Sequence, residues 1–178
     1  MLFRSLNITT TTLPNGTYDQ AYSQPLVATG GTPSYTWSLA SGTPPAGLSL
    51  SPIGVISGTP TGVGTSNFTV QVTDSLSRTD TQALSLTIVP PGPPTITTTT
   101  LPNGTVGEAY VQSLQHTGGT PPLTWGLAGG TVLPDGLSLG TDGSISGTPT
   151  TAGTSNFTVE ITDTFLQSDT QVLSITIN

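Results

Sequence analysis

Few side chains here could carry chemistry. His116 is the only histidine, and the 178 residues include no cysteine and no lysine. A metal site or a general base needs a convergent second and third group, and His116 has no His or Cys to join it. It reads instead as a strand residue at an edge or surface, aligned with Ala28 in the internal repeat set out below. The many Ser and Thr hydroxyls lack a base to activate them as nucleophiles. The acids are better placed, since Asp74 and Asp80 flank one expected hairpin and Asp163 and Asp169 flank its copy. Such carboxylates can hold calcium, yet neither the multi-Asp calcium motif nor a nearby bidentate Glu is present, and a single Asp after a strand usually caps its own turn. Turn capping is therefore the expected role. No catalytic, cofactor-binding or metal residue is assigned, and no cofactor is expected. Asn7, Asn15, Asn67, Asn103 and Asn156 each begin an N-x-T triplet, the acceptor pattern for N-glycans. Asn15-Gly16 and Asn103-Gly104 read more economically as tight turns.

The elements that hold these residues follow from a duplication. ITTTTLPNGT occurs at 8–17 and again at 96–105, TGGTP at 29 and 117, GLSL at 47 and 136, ISGTPT at 56 and 145, and SNFTV at 66 and 155. The offset grows from 88 to 89 between Gly42/Gly130 and Pro45/Pro134, so the second copy carries one inserted residue. About two-thirds of aligned positions are identical, which marks a tandem repeat. Residues 1–7 form an N-terminal extension, 8–88 the first domain, 89–95 a Pro-rich linker and 96–178 the second domain. Four prolines in the linker forbid a helix and favour a stiff extended path, so the domains are expected end to end. Leu2, Phe3 and Leu6 lie outside the repeat; they are expected to extend the first strand or to be disordered, with strand addition to a neighbouring molecule as the alternative.

No stretch has the i, i+3, i+4, i+7 spacing of a helix, and Gly or Pro interrupts nearly every ten-residue window. Period-two alternation is clear instead. Phe68, Val70 and Val72 share one face, as do Leu84, Leu86 and Ile88, with Phe157, Val159, Ile161 and Leu173, Ile175, Ile177 as their copies. Tyr35, Trp37 and Leu39 form a third row, matched by Leu123, Trp125 and Leu127. Gly58 and Gly147 each precede Thr-Pro and are expected at a corner with positive φ. Short strands bounded by such turn chemistry predict an all-β protein, an antiparallel sandwich of about seven strands per domain.

Composition narrows the partners. A formal charge of -7 and only two basic residues cannot neutralise a run of phosphates, so nucleic acid is excluded. No apolar run approaches a membrane span, and MLFRSLN is too short for a secretory signal. Tyr18 and Tyr22 are the candidates for exposed aromatics, of which Tyr22 recurs as Tyr110.

GLSLSPIGVISGTPTGVGTSNFTVQVTD at 47–74 and GLSLGTDGSISGTPTTAGTSNFTVEITD at 136–163, each preceded by a Thr-Trp pair, resemble the putative-Ig family of bacterial and archaeal surface and secreted proteins. The resemblance implies a cadherin-like or Ig-like Greek-key sandwich used as a spacer or adhesive module, with no shared catalytic residues. Without lysine, the isopeptide bond that stiffens some bacterial surface Ig domains is excluded. The expectation is thus a non-enzymatic extracellular or cell-surface structural module, a stalk, spacer or fibre subunit that joins protein partners or self-assembles. Two alternatives stand beside it: a phage virion decoration or tail protein, and the accessory region of a secreted hydrolase. Carbohydrate is left open as a partner.

Overall fold

A computed structural model of the chain describes residues 5–178. Among them are strands and turns and no helix, so no helix is long and apolar enough to cross a membrane. The chain divides into two compact units that meet between Pro90 and Pro91.

Unit 1 contains β1 (Asn7–Ile8), β2 (Gly16–Thr17), β3 (Tyr22–Pro25), β4 (Ala28–Thr29), β5 (Thr36–Gly42), β6 (Leu48–Leu50), β7 (Val55–Gly58), β8 (Gly64–Thr73) and β9 (Thr79–Val89). One sheet has the order β2-β9-β8-β5 and another β3-β7-β6, while β1 pairs with β4 alone. The first strand of the sandwich is thus split: β1 lies antiparallel to β4, and after residues 9–15 the chain lies parallel to β9 as β2. Unit 2 repeats this plan with β10 (Thr95–Ile96), β11 (Tyr110–Ser113), β12 (His116–Thr117), β13 (Thr124–Ala128), β14 (Leu137–Leu139), β15 (Ser144–Gly147), β16 (Gly153–Thr162) and β17 (Ser168–Ile177). There a single parallel bridge between Gly104 and Ile177 replaces β2.

The alternating rows of β8 and β9 face inward and, with Ile56 of β7, Tyr22 and Trp37, make one core per unit. Unit 2 buries the corresponding set around Ile145, Phe157 and Trp125. The inward row of β9 starts with an acid, because Asp80 Oδ2 accepts the backbone N–H of Ile8 at 2.7 Å. Asp169 does the same for Ile96 at 2.8 Å. Each carboxylate thus ties the short first strand to the last one, a donor that no sheet partner would otherwise satisfy.

Three expectations change. In the third row Trp37 and Trp125 are buried, but Leu39 and Leu127 are exposed. They lie on the edge strands β5 and β13, and the facing strands β6 and β14 are only three residues long, so nothing stands opposite the row beyond the tryptophan. Tyr22 and Tyr110 are core residues, and their hydroxyls donate to the Pro14 and Pro102 carbonyls at 3.0 Å. That burial also overturns the Asn-Gly turns. Gly16 sits in β2 opposite Ile88, and a Cβ there would lie 2.7 Å from Ile88 Cδ1 and 3.2 Å from the Tyr22 ring. Gly104 meets Ile177 and Tyr110 in the same way. Glycine at both places leaves room for the end of a core isoleucine and the edge of a tyrosine ring.

Candidate functional site

The acids singled out in the sequence lead to the loop between β8 and β9, residues 74–78. Asp74 is fully buried at its side chain. Its Oδ1 accepts the N–H groups of Leu76 and Arg78, both at 2.9 Å, which is a turn capped by its own first residue. Its Oδ2 accepts the Thr32 N–H at 2.8 Å and the Arg78 guanidinium at 2.7 Å, pinning the β4–β5 loop to the hairpin. Arg78 Nη2 also donates to Thr32 Oγ1 at 2.8 Å. Burial pushes the Asp74 carboxyl up, but the backbone donors of Arg78, Thr32 and Leu76 and the Arg78 side chain outweigh it and lower the pKa to about 2.

That depression fixes a pH dependence. A carboxyl whose pKa lies lower in the folded state than its unfolded value, roughly 3.9, contributes stability that is complete above pH 4 and lost as pH falls towards 2. Unit 1 is therefore expected to hold a constant melting temperature down to about pH 5 and to lose it below pH 4. Asp74→Asn should flatten that acid limb; an unchanged limb in the variant counts against this origin.

Unit 2 keeps the acid and changes its partner. Asp163 accepts the N–H groups of Thr120, Phe165 and Gln167, but Gln167 stands where Arg78 stands in unit 1. With its amide nitrogen turned towards them, Gln167 donates to the Pro91 carbonyl at 2.8 Å and to Asp163 Oδ2 at 3.3 Å. Thr120 Oγ1, the counterpart of Thr32 Oγ1, is then buried without a partner. Thr32→Val should cost about 1 kcal/mol through the lost hydrogen bond, whereas Thr120→Val should be neutral or stabilising. Denaturant unfolding of the two variants checks this; equal losses would contradict it.

His116 lies half-buried in β12 with its ring edge-on to Trp125, centroids 6.1 Å apart. Its Nδ1 is buried and unpartnered. Tyr18 and Leu6 pack against the core of unit 1, while Leu2 and Phe3 lie outside the described residues. Gly31 and Gly119 show that linker residue Pro94 takes the place of Leu6, since a Cβ on either would touch that residue within about 3 Å. Asn7, Asn15, Asn67, Asn103 and Asn156 are all exposed.

Among the described residues no three His, Cys, Asp or Glu side chains gather where they could share a cation. Asp74, Asp80, Asp163 and Asp169 each accept backbone N–H groups that a cation would have to displace. Millimolar calcium is accordingly expected to leave the melting temperature unchanged, because a ligand specific to the folded state must raise it. A clear upward shift removed by Asp163→Ala or Asp169→Ala would overturn this.

Two packed sheets, a first strand split between a short separate pairing and the edge of the larger sheet, and a core tryptophan beneath the β6–β7 or β14–β15 turn make each unit an Ig-like or cadherin-like Greek-key sandwich. The Putative Ig domain family model matches residues 5–89 and again 93–178, and the chain belongs to that family through both repeats. No curated protein matches the chain. Among solved structures it is similar to a putative alpha-galactosidase/melibiase from Bacteroides fragilis NCTC 9343, at 27% identity and a TM-score of 0.42, over 49% of this chain and 18% of that one. It is also similar to the Protocadherin GammaB4 extracellular domain, at 14% identity and TM-score 0.45, over 98% of this chain and 34% of that one. Mouse Cadherin-23 EC22-24 matches at 17% identity and TM-score 0.39, over 98% and 67%. The chain thus spans under a fifth of the Bacteroides structure.

Proposed function

We propose that the protein is a non-enzymatic extracellular module, a spacer, stalk or fibre subunit that carries or makes adhesive contacts at a cell surface. The observation that carries this reading is the duplication of one complete Ig-like unit, each copy with its own core and the same family match. The strongest candidates for chemistry support it too. All four aspartates hold loops or first strands in place, and both tryptophans are committed to cores. Immunogold electron microscopy of the native source, with antibody raised against the chain, tests it. Label on the cell envelope or on filaments supports the reading. Label confined to the cytoplasm, or to virus particles, would overturn it.

A further inference from the structure

Tension along a tandem chain enters each unit at its first strand and leaves from its last, so the bonds between those two strands decide how the unit resists it. In unit 1 the two strands run in the same direction. Asp80 Oδ2 accepts the Ile8 N–H at 2.7 Å, and eight residues further along both strands Gly16 stands opposite Ile88 in the parallel β2–β9 pair. Thr17 pairs with Val89, whose carbonyl also accepts the Tyr18 N–H at 2.9 Å. Unit 2 keeps this spacing. Asp169 Oδ2 accepts the Ile96 N–H at 2.8 Å, and eight residues on Gly104 bridges in parallel to Ile177. There the Gly104 N–H donates to the Thr176 carbonyl and the Asn178 N–H to the Gly104 carbonyl, both at 2.9 Å, while the Val106 N–H donates to the Asn178 carbonyl at 3.0 Å.

Strand direction has a mechanical consequence. A pull on the start of the first strand and on the end of the last drives two parallel strands past each other along their axes, while their hydrogen bonds run across from one to the other. Those bonds therefore share the load. Neither pulled end lies at a fork from which the pair could open one bond at a time. The first strand is held from its other side as well, since the Thr9 N–H donates to the Val27 carbonyl at 2.8 Å and the Val27 N–H to Thr10 Oγ1 at 2.9 Å. Ile8, Gly16 and Ile88 are buried, as are Ile96, Gly104 and Ile177, so little water is at hand to replace a bond as it stretches.

We infer that each unit is a load-bearing element, its first strand tied to its last in shear by the aspartate at one end and the parallel pairing at the other, so that the fold survives tension along the chain. Forced unfolding is governed by the unfolding rate and not by equilibrium stability. Asp80 and Asp169 thereby gain a role beyond satisfying a backbone donor, because each anchors the end of the strand where the pull arrives. The inference rests on the stalk or fibre reading for its purpose. Its failure is distinguishable, since a spacer without mechanical strength would still be found at the cell envelope by immunogold labelling.

The test pulls one fold in two directions. The chain has no cysteine, so a pair of introduced thiols attaches handles at chosen residues of the full chain for single-molecule measurement at constant force. Ser5→Cys with Pro90→Cys loads the first and last strands of unit 1 in shear. Gln20→Cys with Pro90→Cys pulls on the neighbouring ends of β2 and β9 and opens the same pair from its fork. Both leave unit 2 unloaded. Each hydrogen bond that must break in the same step slows unfolding about fivefold, so with several sharing the load the lifetime at equal force should be at least about tenfold longer in shear. Asp80→Ala should shorten the shear lifetime about fivefold and leave the other unchanged, because Asp80 lies at the far end from the fork. The comparison of directions needs no destabilising variant and decides the matter even where Asp80→Ala folds poorly. Equal lifetimes in the two directions, or an Asp80→Ala effect of the same size in both, would overturn the inference.

Discussion

Gly58→Ala is expected to unfold unit 1 while leaving unit 2 intact. Gly58 ends β7, the central strand of its sheet, opposite Tyr22 on one side and Leu48 on the other. Its φ is 139°, a region that residues with a Cβ avoid. A Cβ there would lie 2.1 Å from the Gly47 carbonyl oxygen, which is backbone and cannot swing aside. Gly47 is locked reciprocally, with φ of 87° and a Cβ position 2.0 Å from the Thr59 carbonyl oxygen. Strain of roughly 1–3 kcal/mol adds to the displacement of two hydrogen-bonded strands, for a total of about 4 kcal/mol or more. A unit of this size has about 4–13 kcal/mol in all. Thermal melting by circular dichroism should lose one transition and about half the amplitude. Gly62→Ala is the control, because a Cβ there meets nothing within 4 Å, and its effect should stay within about 0.5 kcal/mol. A Gly58→Ala chain that melts like the parent would show that the two glycines are not interlocked.

The same pair marks how far the sequence could be read. ISGTPT already placed Gly58 at a corner, since a glycine before Thr-Pro has a local reason for positive φ, and the structure adds that GLSL supplies its packing partner. Alternation in β8 and β9 identified the buried rows because period two reports which face a residue takes. It cannot report whether anything stands opposite, and so Leu39 and Leu127 share a row with the buried tryptophans although short facing strands leave them exposed. Tyr22 was unreadable for a related reason. Its burial depends on Gly16 and Ile88, and the link between a tyrosine and a strand glycine six residues earlier has no periodic signature. Asn-Gly is a strong local turn signal, and here a tertiary demand for space overrides it. The bulge in β5 is equally hidden, because it follows from register and both repeats carry a similar Leu-Ala-x-Gly run.

Gly54→Ala should be nearly as damaging, and here strain and crowding can be separated. Gly54 has φ of 85°, and its Cβ would lie 2.5 Å from Trp37 Nε1 and 2.6 Å from Cδ1. The turn it forms also joins the two sheets, for the Gly54 carbonyl accepts the Leu26 N–H at 2.7 Å and the Pro52 carbonyl accepts the Trp37 N–H at 3.0 Å. The indole cannot retreat, being packed in the core on its other side. Alanine in the left-handed region costs about 1–2 kcal/mol by itself, and overpacking against the ring adds about 1–3 kcal/mol. Trp37→Leu removes the ring atoms that the new Cβ would strike. In that background Gly54→Ala should therefore cost less, by about 1–2 kcal/mol, leaving mainly the backbone part. Unit 2 offers an independent repeat, since a Cβ on Gly143 would lie 2.7 Å from Trp125 Nε1 at φ of 84°. Denaturant unfolding of the four chains in each cycle measures the coupling. Additive losses in both units would mean that backbone strain alone selects glycine at this turn, and that the tryptophan beneath it has room to spare.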